Sequence, residues 1–232
     1  MMKDTNLKAL QQNLQQRYDI EEYELRIAEK DFQWLRILNT DRLFDDLLAK
    51  DADDPDLADE RMPYWADLWP SALALSQYIF RNKVLVSGKT VLEVGCGLGL
   101  CGLVAASNGA QVTLSDYLPE PLQVARYLWL LNRHEEPEML QLDWRYPPAN
   151  LQFEVLLASD VSYEMRSHEA LVGAMRQLLK PGGRVLLSEP RRSTAQAFFK
   201  LLAQEGFLCE RKEELVRQGK GIVTVDVYEI RV

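Results

Sequence analysis

The sequence predicts an α/β chain: a mostly parallel sheet with helices on both faces, a C-terminal antiparallel hairpin and an N-terminal extension. Three observations predict it. From residue 71 onward, short apolar runs alternate with helix-length segments, the pattern of strands joined by crossover helices. The first of these runs, Thr90 to Val94, ends directly in glycines that open a helix. The last two strand-like runs, 207–213 and 222–232, have no helix between them, so they return on each other instead of crossing over.

Element by element, residues 1–18 place Leu7, Leu10 and Leu14 on one helical face. Tyr23, Leu25 and Ile27 alternate with charged residues as in a half-buried strand, and Glu29-Lys30-Asp31 is a turn. Phe32 to Leu38 reads as the returning strand of a hairpin or the start of a helix, with the hairpin favoured. Leu43 to Ala49 is a short helix. Residues 51–60 (DADDPDLADE) hold six acids and a proline, which predicts a loop or flap and a soft boundary near residue 60. The expected organisation is therefore an extension, 1–60, and a main domain, 61–232.

In the main domain a helix runs from Ser71, its expected N-cap, to Asn82. Strand 90–94 is followed by helix 98–108, closed by Gly109. Strand 111–115 precedes helix 119–132. A weak strand, 139–142, and a stronger one, 154–159, come next, then helix 167–179. Pro181-Gly182-Gly183 is a turn before strand 184–188, and helix 193–204 follows. Gln218-Gly219-Lys220-Gly221 turns the final hairpin.

Composition narrows the function classes. Lys and Arg total 27 against 35 Asp and Glu, a net charge of −8, which argues against a broad nucleic-acid footprint. Cys96, Cys101 and Cys209 are too few and too scattered for a disulfide framework, and two histidines leave little for a zinc site. His134 and His168 are expected at the surface. No run approaches the roughly 18 apolar residues of a membrane span. Residues 1–22 lack an apolar stretch of signal-peptide length, so the expected location is the cytoplasm.

The chemistry concentrates at Glu93-Val-Gly95-Cys96-Gly97-Leu-Gly99. Glycines are required where backbone takes positive φ or lies against a ligand. Two ligands compete for this loop. Gly97-x-Gly99-x-x-Gly102 formally matches a dinucleotide fingerprint, but the match is out of place, because the strand ends at Gly95 and Leu100 then stands at the third position. An acid just before the glycines, Glu93, suits a cationic ligand better than a pyrophosphate. S-adenosylmethionine carries a sulfonium and an ammonium and no phosphate. Asp116, 19 residues after Gly97, ends the second strand where an acid bonds ribose hydroxyls, a role open under either ligand; capping of the next helix is the plain structural reading. Tyr117 adjoins it. Asp143 and Trp144, after the third strand, are candidates to hold an adenine by hydrogen bond and by stacking. Cys96 is a small side chain in the loop, beside the cofactor and without chemistry of its own.

Together these residues resemble the class I S-adenosylmethionine-dependent methyltransferases, over about residues 64–232. That resemblance implies a Rossmann-like seven-stranded sheet whose last two strands form a hairpin. A narrower likeness rests on Pro63-Tyr-Trp-Ala-Asp-Leu-Trp-Pro-Ser-Ala72 and on Ser159-Asp-Val-Ser-Tyr163. These segments are similar to those of the seven-strand protein lysine methyltransferases, including the group that modifies the electron-transfer flavoprotein β-subunit. The resemblance implies that Trp69 and Ser159 border the cofactor and that Asp160 and Tyr163, a D-x-x-Y motif, face the acceptor. The same broad family includes nicotinamide N-methyltransferase-like proteins. A protein lysine is the leading acceptor, and a small amine or nitrogen heterocycle the alternative. A non-catalytic cofactor binder or an NAD-dependent oxidoreductase is the reading from another class. Adenine and glutamine-amide methyltransferases carry Asn/Asp-Pro-Pro-aromatic where this chain has Asp160-Val-Ser-Tyr163, so a proline clamp on a planar amide is not expected. Of Tyr64, Trp65 and Trp69, at least one is expected to line the pocket. Arg191 or Arg192 is expected either to meet an acidic protein partner or to be ordinary surface.

Overall fold

The computed structural model describes residues 2–219 and 221–232. Met1 of the first expected helix and Lys220 of the last expected turn lie outside them. The extension comprises α1 (Met2–Arg17), the hairpin β1 (Ile20–Ile27) and β2 (Lys30–Ile37), α2 (Thr40–Leu48) and α3 (Pro55–Ala58). The main domain runs α4 (Pro70–Arg81), β3 (Thr90–Val94), α5 (Leu100–Ser107), β4 (Gln111–Asp116), α6 (Pro119–Arg133), β5 (Glu138–Gln141), β6 (Phe153–Ser159), α7 (His168–Leu178), β7 (Leu179–Glu189), α8 (Ala195–Gln204), β8 (Leu208–Gln218) and β9 (Gly221–Arg231). Its seven strands are ordered β5-β4-β3-β6-β7-β9-β8, with β9 antiparallel to both neighbours and the rest parallel.

The strand order reverses after β3, which pairs with β4 on one side and β6 on the other. The loops after β3 and β6 therefore diverge to opposite faces and leave a crevice at the strand ends, the usual ligand position in such sheets. The core divides by strand alternation. Val91, Val155, Leu157 and Leu186 face α4, α5 and α6. Leu92, Leu156, Val185 and Leu187 face α7 and α8. Buried Leu14, Phe32 and Trp34 continue the first core into the extension, which docks on α6. Asn132 fixes that dock, accepting from Gln33 N at 2.9 Å and donating to Gln33 O at 2.8 Å.

Several local expectations change. Trp69, not Ser71, caps α4, because Pro70 at the first helical position needs no hydrogen-bond partner for its nitrogen. Ser71 is buried instead, and its carbonyl accepts from the Ser188 hydroxyl at 2.8 Å. The acidic stretch is not all loop: Asp54 caps the one-turn α3 by accepting from Asp56 N at 2.8 Å. The Pro181–Gly183 turn is an irregularity within β7, where the register against β6 shifts. His168 is buried, with Nε2 2.9 Å from Ser162 O and its ring edge-on to Phe198. No helix among the described residues is long and apolar enough to cross a membrane.

Candidate active site

After β3 the chain turns through Gly95, Gly97 and Gly99, at φ +61°, +51° and +78°. An L side chain in that region costs about 1–2 kcal/mol, so the backbone path itself selects glycine. Gly102 is a glycine for another reason. A Cβ there would lie 2.4 Å from Leu114 Cδ2 and 2.7 Å from Glu93 Oε2, so it permits α5 to pack on the sheet.

Two carboxyls brace the loop from beneath. Glu93 shares the strand face of Val91, so its side chain points under α5 and not into the crevice, contrary to its expected cofactor contact. Its Oε2 accepts from Gly102 N at 2.8 Å, and its Oε1 is buried with no hydrogen-bond partner among the described residues. Burial pushes this carboxyl up to about 8. Asp116 does line the crevice. Its Oδ2 accepts from Gly97 N at 2.9 Å and its Oδ1 from Leu118 N at 3.3 Å, and burial pushes it up to about 6. These bonds count against the dinucleotide reading, since two amides of the loop and helix start, those of Gly97 and Gly102, are given to carboxyls and not left for a pyrophosphate.

The crevice encloses about 830 Å³, the size of a small-molecule site. Gly95 to Leu100 form one wall, together with Asp116, Tyr117, Trp144 and Ser159. A Cβ on Gly95 would reach Val161 at 3.2 Å and the Trp144 ring at 3.4 Å, so the indole lies close over the loop. Seven carboxylates and four guanidiniums line the space, and the glycine wall itself carries no cation. That donor set fits a cationic nucleoside such as S-adenosylmethionine. Cys96 is buried, and burial raises its thiol far above the usual range, so it is no nucleophile.

The opposite side of the crevice holds the D-x-x-Y motif. Asp160 sits at the end of β6 with φ +55°, and its N donates to Ser188 O at 2.9 Å. Arg192 grips its carboxylate with two bonds of 2.9 Å and lies 5.9 Å over the Trp69 ring, within cation–π range. Arg191 instead pairs with Asp226 at 2.8 Å and with Glu213. Both arginines are thus engaged within the chain. Tyr163 meets Tyr64 edge-on at 5.7 Å, and Tyr64 in turn touches Phe44 and Trp69. Tyr163 is 37% exposed and Tyr64 38%, so this side opens to solvent. Burial, with Glu164 and Asp116 nearby, raises the Tyr163 phenol, which keeps its proton.

Asp143 is placed at the crevice but is engaged. Both its oxygens bond the Arg145 guanidinium, and Oδ1 also accepts from Arg145 N at 2.9 Å. Arg145 reaches on to Asp59 at 2.8 and 3.2 Å.

The fold therefore gathers Trp69, Gly95, Cys96, Gly97, Gly99, Asp116, Tyr117, Asp143, Trp144, Ser159, Asp160 and Tyr163 around one crevice and leaves Glu93 behind it. Tyr64, Trp65 and Trp69 all line it. Sequence reasoning missed Asp59, Arg61, Arg145 and the pairing of Arg192. Proximity in the chain ties Arg145 to Asp143, but nothing in the sequence joins Asp59 to a residue 86 positions away.

The chain is similar to known methyltransferases. The histone-arginine methyltransferase METTL23 of Rattus norvegicus is 30% identical over 57% of this chain and 64% of its own length. The EEF1A lysine methyltransferase 3 of Mus musculus is 28% identical over 74% of each. The matched part thus spans just under two thirds of the first relative. Among solved structures, the N-methyltransferase NodS from Bradyrhizobium japonicum, in complex with S-adenosylhomocysteine, superposes with a TM-score of 0.54 at 19% identity, over 82% of this chain and 98% of that one. This likeness extends to the fold. Residues 59–205 match the lysine methyltransferase family profile, and the chain belongs to that family, built on the seven-stranded sheet of the class I methyltransferases.

Proposed function

We propose that this chain is an S-adenosylmethionine-dependent N-methyltransferase acting on a protein side chain, with lysine as the leading acceptor. The observation that carries the reading is the two-sided crevice. One wall is a glycine loop whose Gly97 and Gly102 amides already donate to carboxyls and so are not free to cradle a phosphate. The other is the solvent-open Asp160–Tyr163 side. Family membership and the lysine-modifying relative support it.

S-adenosylmethionine, when bound, supplies a methyl group already activated on a positive sulfur. The chain's own work is alignment and charge control. Gly95, Gly97 and Gly99 give the close backbone approach, Asp116 faces the ribose, and Trp144, Tyr117, Ser159 and Trp69 border the cofactor. Alignment of two reactants contributes about 7–11 kcal/mol in well-oriented systems. A lysine amine must shed its proton before it can attack, and near neutral pH its free value of about 10.4 keeps most of it protonated. Water takes that proton as the amine leaves solvent. Asp160, held by Arg192, still offers a second lone pair on each carboxylate oxygen to orient the nitrogen. Tyr163 keeps its proton and serves as a hydrogen-bonding wall, not a base.

One observation favours a second acceptor, arginine. The crevice already seats a guanidinium, Arg192, on Asp160 and over an indole, and a relative is named a histone-arginine methyltransferase. The test is incubation with methyl-labelled S-adenosylmethionine and a cell lysate, then mass-spectrometric mapping of labelled residues. Label on lysine supports the leading reading, and label on arginine selects the second. Label confined to small molecules turns the assignment to the amine or heterocycle class, and no transfer at all leaves a cofactor binder.

A further inference from the structure

The acidic segment before the main domain is more than a solvated flap. Lys50 pairs with Asp54 and Asp56, and Arg61 pairs with Asp56, so the segment is tied into a compact unit around α3. It then reaches across the crevice in two directions. Toward the glycine-loop side, Asp59 accepts from Arg145 at 2.8 and 3.2 Å and from the Tyr117 hydroxyl at 2.5 Å. Arg61 donates to the same hydroxyl at 2.7 Å. The Tyr117 ring has Arg61 at 5.0 Å and Arg145 at 5.1 Å from its centre. Toward the acceptor side, Arg166 donates to Asp59 O at 3.1 Å and pairs with Glu60 at 3.3 Å. Glu60 lies at φ +50°, a strained backbone held by contacts on both sides.

We propose that residues 54–61 roof the cofactor's nucleoside subsite, and that Arg145 positions this roof by bridging Asp59 to Asp143 beside Tyr117. The inference rests on the reading that the crevice takes S-adenosylmethionine. Asp143 anchors the bridge through both oxygens, each of which keeps a second lone pair for the crevice it lines. Asp59 remains ionised at any working pH, since its hydrogen bonds from Arg145 hold it down to about 2. Both guanidiniums lie close to the Tyr117 ring and hold it in place where it lines the crevice.

The test is calorimetric titration of S-adenosylhomocysteine into the wild type and into Arg145→Ala, Arg145→Lys and Asp59→Asn, with a thermal melt of each apo protein to establish folding. Trypsin cleavage at Arg61 is timed with and without the ligand. The expected result is affinity lowered about tenfold in Arg145→Ala, roughly 1.4 kcal/mol, and several-fold in Asp59→Asn. Arg145→Lys should recover part of the loss, because lysine keeps the charge without the bidentate fork. The ligand should slow cleavage at Arg61 in the wild type and not in Arg145→Ala. Wild-type affinity in both Arg145→Ala and Asp59→Asn, or cleavage indifferent to ligand in the wild type, overturns the roof alone. A wild type that binds no S-adenosylhomocysteine overturns the roof and the cofactor reading together.

Discussion

The two sides of the crevice are built by different physics. The glycine-loop side is held by backbone amides on carboxyls: Gly97 on half-buried Asp116 and Gly102 on buried Glu93. The acceptor side and the roof are held by half-exposed ion pairs between side chains, Asp160 with Arg192, Asp59 with Arg145 and Glu164 with Arg166. A buried, backbone-anchored site has one geometry and tolerates little change. Pairs at a rim are individually weak, about 0–1 kcal/mol, and exchange partners easily. The difference assigns roles: an invariant ligand belongs on the first side, and a choice among acceptors is tuned on the second.

The largest expected effect breaks the first side. Gly97→Val puts a branched residue at φ +51°, while its Cβ meets no protein atom closer than 3.5 Å. The fold should survive and S-adenosylhomocysteine affinity should fall about a hundredfold or more, by calorimetry. Retained affinity would show that the loop path is not selected by the ligand. Next, Asp160→Ala should lower methyl transfer about a hundredfold, measured on whichever protein the labelling experiment yields, and change S-adenosylhomocysteine affinity less than about twofold. Equal losses in both would erase the division between the sides.

A third prediction uses pH. The folded values of Glu93 and Asp116, about 8 and about 6, stand above those of free carboxyls, so the folded chain keeps protons that the unfolded chain releases. That stability is full below about pH 4 and is lost as pH rises through about 6 and then about 8. The wild-type melting temperature should therefore decline across this window, and Glu93→Gln should flatten its upper part. An unchanged slope in the variant would mean that Glu93 is not the group responsible. The smallest effect is Tyr163→Phe, a loss of a few-fold in transfer with unchanged cofactor affinity, because the ring and its contact with Tyr64 remain.

Much of this was legible in the chain, unevenly and for identifiable reasons. Strand–helix alternation and the terminal hairpin are local patterns, whereas the order of the strands across the sheet is not written in them. Gly95 and Asp116 were legible because a parallel sheet brings the ends of adjacent strands together. Glu93 stands two residues after Val91, and strand period puts both on the α5 face. Ser71 lost the cap to the geometry that Pro70 imposes. His168 gave no sign of burial, since one polar residue at a helix start reads the same whether it meets water or Ser162 O.

By itself the sequence determined the backbone: where strands end, where glycine alone can turn, and which acids stand at strand tips. Those are consequences of neighbours within a few residues. Only the tertiary structure decided which charges meet. Arg192 found Asp160 across 32 residues and Arg145 found Asp59 across 86, and no periodicity records such pairs. Side-chain ion pairs depend on where distant loops converge at one sheet edge, and that convergence exists once the whole sheet has formed.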